Sequence, residues 1–140
     1  MLALITQLGC GGPQPSGPAG YTAIGNVDQV MDAIVVPSSQ AIFDAVIYEN
    51  GTLVQGPRTD EDWFRLQMHA VVVAEAGNLL LMPPRAKDGD EWTTFARAMT
   101  TSGADVLKAA EAKDVEGVLR TGGELYRACA GCHEKYLPEQ

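Results

Sequence analysis

Apolar residues recur at helical spacing along most of the chain, and polar caps and prolines divide them into four segments. The first segment begins at Asn26, a residue type that caps helix N-termini, and stops by Asn50-Gly51. Pro37 lies inside it, and a proline kinks or interrupts a helix at the preceding residue. The pattern therefore predicts a first helix over 26–50 with a kink at Pro37.

Three further segments carry comparable start and stop signals. Thr59 precedes three acidic residues that suit the positive end of a helix dipole, and Pro83-Pro84 ends that segment. The next segment covers 90–113, and the last begins at Asp114 and is limited by Pro138. No segment alternates over the length of a strand. We therefore predict four helices and no strands.

The links between these segments are short, which favours antiparallel neighbours. The predicted fold is all-α: an antiparallel four-helix bundle in up-down-up-down order. A chain of 140 residues suits one such domain, and its hydrophobic and charged fractions of 46% and 20% are those of a folded protein. We assign residues 25–140 to the bundle domain and residues 1–24 to a separate N-terminal part.

The N-terminal part resembles the end of a bacterial lipoprotein signal. A short, mostly apolar run from Leu2 to Leu8 leads to Gly9-Cys10, and a stretch rich in glycine and proline follows. In this interpretation Cys10 is the lipidated residue, and the stretch after it is a flexible tether. The other interpretation is an ordinary signal remnant or a frayed N-terminus with a free cysteine.

Charge limits the classes of partner. The net charge is −8, and every lysine and arginine lies at Arg58 or later. Nucleic-acid binding needs clustered basic residues, so this balance argues against it. The balance suits a basic protein partner, and a plain solvated acidic surface explains it equally well. No apolar run reaches about 18 residues, so we expect no membrane-spanning helix.

The sequence Cys129-Ala130-Gly131-Cys132-His133 has the C-x-x-C-H pattern of covalent haem attachment. Residues three and four apart on a helix share a face, so both thiols and the imidazole lie on one side. The thiols can then add to the two vinyl groups of a haem while His133 binds the iron. We therefore predict one covalently bound haem c.

Two other uses of paired cysteines are weaker. A zinc site needs about four ligands, and the chain offers only His69 and Cys10 besides the motif. A thioredoxin-like pair opens a helix after a strand, whereas Cys129 lies late in the last predicted helix. Covalent haem therefore remains the favoured interpretation.

A haem motif at the end of four helices resembles the class II c-type cytochromes, the cytochrome c′ and cytochrome c556 family. The resemblance covers about residues 26–137 and is carried by Cys129, Cys132 and His133, with Tyr136 three residues on. It implies export to the bacterial periplasm, because haem of this kind is attached outside the cytoplasm. It also implies that the chain could pair into a homodimer, as relatives often do.

The sequence departs from that family at two places. An arginine often follows the tyrosine, whereas Leu137 stands here. The first predicted helix also lacks the basic residue that commonly meets a haem propionate. We expect Arg127, Lys135 or Arg85 to take over that contact.

Met31 is the predicted second axial ligand. In an antiparallel bundle the first helix begins at the end where the fourth helix finishes. At about 1.5 Å per residue, Met31 and His133 then lie at nearly the same height. Met82 ends the second predicted helix at the same end of the bundle and is the runner-up. His69 lies about 20 Å from that end and is expected to be a partly buried or surface residue.

The resemblance leaves two functions open at this position. Cytochrome c556 uses a methionine of its first helix as the sixth ligand, which Met31 resembles, and such iron suits electron transfer. Cytochrome c′ has an apolar lid there and leaves the iron five-coordinate, so that it binds NO or CO. A third hypothesis is a haem-free helical interaction module. Since no catalytic constellation is evident, we expect electron transfer with a redox partner protein, basic in charge, and no enzyme activity.

Overall fold

The computed structural model describes residues 20–137. Most of them are helical, and the helices pack against one another around an apolar core. None of the helices in this range is long and apolar enough to cross a bilayer. In chain order the elements are α1 (Val27–Val30), a π-helical turn (Met31–Val35), α2 (Val36–Phe43), β1 (Ile47–Glu49), β2 (Thr52–Gln55), α3 (Asp60–Leu81), α4 (Asp90–Glu111) and α5 (Val115–Tyr136).

Residues 27–43 form one uninterrupted run of helix, called here the N-terminal helical stretch. The predicted lipid attachment point, Cys10, lies outside the described residues. So does Pro138, the predicted limit of the last helix.

The predicted N-terminal caps of three helices are confirmed. The Asn26 side chain accepts a hydrogen bond from the Gln29 backbone N–H (2.8 Å), and the Gln29 side chain accepts one from the Asn26 backbone N–H (3.0 Å). Thr59 and Asp62 form the same reciprocal pair at the start of α3. Asp114 caps α5 with its side chain. These bonds satisfy N–H groups that have no partner within the helix, so each cap fixes where its helix begins.

The first predicted helix is wrong beyond Phe43. The chain leaves the helix there and forms an antiparallel hairpin in which Tyr48 pairs with Leu53. Asn50 and Gly51 make the turn with φ angles of +51° and +79°, the left-handed conformation that a tight two-residue hairpin turn requires. The β-branched and aromatic residues on both sides favour an extended chain. A small two-stranded sheet therefore has to be added to the all-α prediction.

A π-helical turn occupies Met31–Val35, just before Pro37. The Val36 backbone N–H bonds to the carbonyl of Met31, five residues back. Proline has no N–H to donate, and its ring collides with the carbonyl four residues before it, here that of Ala33. A wider turn at this point lets the helix continue through the proline. Met31 takes the first position of the turn.

The core lies between the N-terminal helical stretch, α3, α4 and α5, which all contribute buried apolar side chains. Two contacts between α3 and α4 are close enough to require glycine. A Cβ on Gly103 would lie 2.9 Å from the backbone nitrogen of Ala74, and one on Gly77 would lie 2.6 Å from the carbonyl oxygen of Ala96. The largest fully buried side chains are those of Leu125, Val73, Val106 and Val118. This core fixes α4 and α5, which together carry most of the site described next.

Candidate functional site

The C-terminal end of α5 carries the C-x-x-C-H residues into one pocket. Cys129, Cys132 and His133 line a pocket of about 230 Å³, together with Met31 from the π-helical turn. The structure thus brings together all four residues that the sequence predicts as haem contacts. They come from opposite ends of the described chain, so only the folded protein assembles them.

The rest of the pocket wall is mostly apolar. It comes largely from the N-terminal helical stretch and α4, with Val35, Val36, Phe43, Trp92, Phe95 and Met99. Ser39 adds a hydroxyl, but this group donates to the carbonyl of Val36 in its own helix (3.2 Å). An apolar wall with a few placed polar groups is typical of a site for a small molecule or cofactor.

The helix explains why the motif residues converge. α5 runs without interruption through the motif, so Cys129, Cys132 and His133 keep the spacing of one helix face. Gly131 lies between the cysteines, and a Cβ there would lie 3.0 Å from the ring of Phe95. The absent side chain lets α4 place this ring directly against the motif.

Both motif cysteines are half-buried free thiols. Burial raises the pKa of Cys129, and the nearby Cys132 adds to the rise. Burial also raises the pKa of Cys132. A raised pKa leaves less of each thiol as thiolate, which is the form that binds metal ions.

A second, smaller pocket of about 90 Å³ adjoins the first. Met31, Trp92, Cys132 and His133 line both pockets, and the smaller one also includes Lys87. His133 is an exposed residue at this junction. A ligand held by the motif therefore has an apolar side toward the core and a side that reaches solvent near a cation.

Tyr136 fastens the end of α5 that carries His133. Its hydroxyl donates to the Asp88 carboxylate, at 2.7 Å and 2.8 Å from the two oxygens. Its ring packs edge-on against Trp92, with ring centroids 5.0 Å apart. Burial and the hydrogen bond to Asp88 raise the pKa of Tyr136 to about 12, and the same bond lowers the pKa of Asp88. The phenol therefore remains a donor at neutral pH.

Trp92 and Phe95 are site residues that the sequence analysis did not assign. Trp92 is buried, and its indole N–H donates to the Leu80 carbonyl (2.8 Å). The available signal was spacing, because Trp92, Phe95 and Met99 recur on one face of α4 at intervals of three and four. A plain core stripe has the same spacing, so only the fold distinguishes the two.

Other sequence candidates lie in different places. Met82, the runner-up ligand, is not among the residues that line the pocket, whereas Met99 lines it and is only 5% exposed. His69 is half-buried at another pocket, where its Nδ1 lies 3.4 Å from the Ser38 hydroxyl oxygen. The structure therefore keeps His69 apart from the motif.

The three basic residues expected at the haem propionates do not line either pocket. Arg85 is buried and donates to two backbone carbonyls, at 2.8 Å and 3.2 Å. Lys135 forms an ion pair with Glu91. Arg127 is exposed on α5, about 160° around the helix from Cys129.

The donor set suits haem better than a bare metal ion. Within residues 20–137, no group of three or more His, Cys, Asp or Glu side chains is placed to hold an ion. Haem brings its own ring nitrogens and takes from a c-type protein two thiols and axial ligands, which are the groups in this pocket. The pocket is smaller than the roughly 300–1,000 Å³ of typical cofactor sites, so its walls must part to admit a macrocycle.

No protein-family model, curated protein or solved structure matches this chain. The functional argument therefore depends on the pocket and on the motif that lines it.

Proposed function

We propose that this chain is a monohaem c-type cytochrome that carries electrons in the bacterial periplasm. Cys129 and Cys132 hold the haem by thioether bonds, His133 is one axial ligand and Met31 is the other. The observation that carries the proposal is that these four side chains line one mostly apolar pocket. The resemblance to class II c-type cytochromes supports the same assignment.

The two thiols make the covalent attachment. Each sulfur forms one S–C bond to a vinyl group of the haem, and the thiol hydrogen goes to the neighbouring vinyl carbon. No oxidant, reductant or leaving group takes part, so the mass of the loaded protein equals the polypeptide plus one intact haem.

His133 and Met31 supply an imidazole nitrogen and a thioether sulfur. Bound haem iron with these two ligands supplies one-electron transfer at a raised potential. The pocket wall around Met31 is mostly apolar. Tyr136 and Trp92 hold the end of α5 in place, which limits rearrangement between the two oxidation states.

We also infer two finer features of the fold: the helices run up-down-up-down, and the first one bends at Pro37. α3 and α4 contact each other in antiparallel order, because residues earlier in α3 meet residues later in α4. The contacts are Leu80 with Trp92, Gly77 with Ala96, and Ala74 with Gly103. The π-helical turn directly before Pro37 supports the bend. Such an order puts Met31 and His133 at one end of the bundle, as the proposed ligation requires.

The proposed partner is a redox protein with a basic surface. Asp28 and Asp32 are exposed on the N-terminal helical stretch, and Glu134 is exposed beside His133. With a net charge of −8 on the chain, opposite charge on the partner would steer their encounter, and added salt would slow it. Cys10 remains the proposed point of lipid attachment.

Periplasmic expression with a c-type haem maturation system tests the attachment. We expect an intact mass of polypeptide plus one haem and a pyridine haemochrome spectrum. Cys129→Ala with Cys132→Ala should abolish the covalent haem, whereas the control Glu134→Gln, an exposed neighbour of the motif, should retain it. Colourless exported protein with the mass of the bare polypeptide would refute the proposal and leave the helical interaction module.

Three methionine variants test the second axial ligand. The oxidised protein should show low-spin iron and a weak far-red sulfur-to-iron band, and Met31→Ala should lose both. Met82→Ala and Met99→Ala should keep them. An unchanged spectrum in Met31→Ala would refute this ligation. High-spin ferrous iron that binds CO in the unaltered protein would favour the five-coordinate gas-binding alternative.

A further inference from the structure

We propose that Lys87 is the cation that neutralises the carboxylate edge of the haem. The inference rests on the proposed function and deepens it, because it names the residue that recognises the two propionates. It starts from the observation that Lys87 lines the smaller pocket together with Met31, Cys132 and His133.

Lys87 belongs to a loop that is anchored on both sides. The loop joins α3 to α4, and in it Arg85 binds two backbone carbonyls while Asp88 accepts the hydroxyl of Tyr136. The ammonium nitrogen of Lys87 lies 5.9 Å from the ring centroid of Trp92, which lines both pockets. The backbone of Lys87 is thus held near the site, while its long side chain can still reach a carboxylate.

No other lysine or arginine of residues 20–137 lines either pocket. Arg85 is committed to backbone carbonyls and Lys135 to Glu91. Arg127 lies on the far side of α5 from the cysteines. The basic residue that the first helix lacks is therefore replaced, in this inference, by one from the loop before α4.

The neighbouring carboxylates leave the charge of Lys87 available. In the described part of the chain Lys87 takes part in no ion pair. Asp28 lines the same pocket and forms no ion pair with Lys87. Asp88 already accepts hydrogen bonds from Tyr136 and from the backbone of Trp92. A carboxylate entering here would find one uncommitted cation.

A cation at this position affects the redox equilibrium. The oxidised iron carries one more positive charge than the reduced iron, so a nearby ammonium group disfavours the oxidised form. Neutralising the propionates acts in the same direction, because their negative charge would otherwise stabilise the oxidised form. Removal of Lys87 should therefore lower the midpoint potential.

Four variants of the haem-loaded protein test the inference through the midpoint potential and the intact mass. Lys87→Met should stabilise the oxidised form about tenfold relative to the reduced form. For a one-electron couple this lowers the midpoint potential by about 59 mV. Lys87→Arg keeps the positive charge and should therefore keep the midpoint potential of the unaltered protein. Lys108→Met is the matched control, because Lys108 is exposed on α4, about 24 Å beyond Trp92 along the helix. The midpoint potential of this variant should equal that of the unaltered protein. Lys135→Met tests the competing cation.

The outcomes separate this inference from the proposed function. Equal potentials for Lys87→Met and Lys108→Met, with haem attached in both, overturn the role of Lys87 and leave the cytochrome assignment intact. A larger fall for Lys135→Met than for Lys87→Met also overturns it and moves the role to Lys135. An unaltered protein whose mass includes no haem refutes the proposed function, and this inference with it.

Discussion

Replacement of Arg85 by methionine should loosen the pocket wall that carries Met31. The guanidinium of Arg85 donates to the carbonyl of Gly25, directly before the Asn26 cap, and to the carbonyl of Leu79 near the end of α3. It therefore ties the start of the N-terminal helical stretch to α3. Methionine keeps an unbranched apolar stem of similar length but donates no hydrogen bond.

Two opposing contributions set the size of the effect. A hydrogen bond from a charged donor contributes roughly 1.5–3 kcal/mol, and Arg85 makes two, of which the 3.2 Å bond to Leu79 is the weaker. Methionine also removes the cost of burying a charge at a side chain that is only 7% exposed. We therefore expect Arg85→Met to lower the free energy of unfolding by about 2–4 kcal/mol.

Urea unfolding followed by far-UV circular dichroism measures this loss. The slope of the free energy of unfolding against urea concentration should stay the same. Arg97→Met is the matched control because Arg97 is exposed on α4, and its effect should stay below about 0.5 kcal/mol. In the haem-loaded protein, Arg85→Met should also weaken the sulfur-to-iron band of Met31. A loss of stability no larger than that of the control would refute the argument.

Three further predictions concern stability. Gly103→Ala should destabilise by about 1–2 kcal/mol because its Cβ meets the backbone of α3, whereas Gly123→Ala, with its nearest contact at 3.9 Å, should stabilise by about 0.5–1 kcal/mol. Equal urea midpoints for these two variants would contradict the close approach. The hydroxyl of Thr59, with backbone N–H groups, lowers the pKa of Asp62 from 3.8, so this carboxylate stabilises the fold above about pH 4 and less as the pH falls through the lowered value. The stability lost in Asp62→Asn should therefore shrink in acid, and a loss independent of pH in urea titrations would refute this. Gly51→Val, at a φ of +79°, should destabilise by about 1–2 kcal/mol and leave the haem spectrum unchanged, and an altered spectrum would show that the hairpin affects the site.

Local signals explain why the helix starts are predictable. Asn26, Thr59 and Asp114 begin their helices as predicted because a cap bond joins residues three apart, and the sequence displays that spacing directly. α4 begins at Asp90 without a side-chain cap from Gly89. The Asp88 carboxylate accepts a hydrogen bond from the Trp92 backbone N–H instead, four residues on, so this start lacks the three-residue spacing of the other caps.

The hairpin is not predicted because helical and extended signals overlap after Phe43. Apolar spacing continues past that residue, while Asn50-Gly51 is also typical of a two-residue hairpin turn. Strands of three and four residues are too short to display a clear alternation. The strands are held partly by contacts such as the Tyr48 hydroxyl to Glu116, 68 residues away, which no local pattern contains.

The site is predictable where geometry along the chain decides it. Helix spacing groups the motif residues, and the rise per residue brings Met31 to their height, so their common pocket agrees with the expectation. The haem itself stays a prediction. The cation near the pocket depends on tertiary structure instead, because the burial of Arg85 and the pairing of Lys135 leave Lys87, which the sequence does not single out.

The π-helical turn has a consequence for comparing this chain with others. It holds one residue more than an α-helical turn, so it absorbs a single-residue insertion without turning the helix on either side. A related chain shorter by one residue within 31–35 could present its counterpart of Met31 from the same face. An alignment that allows no gap there would match Met31 with the wrong neighbour.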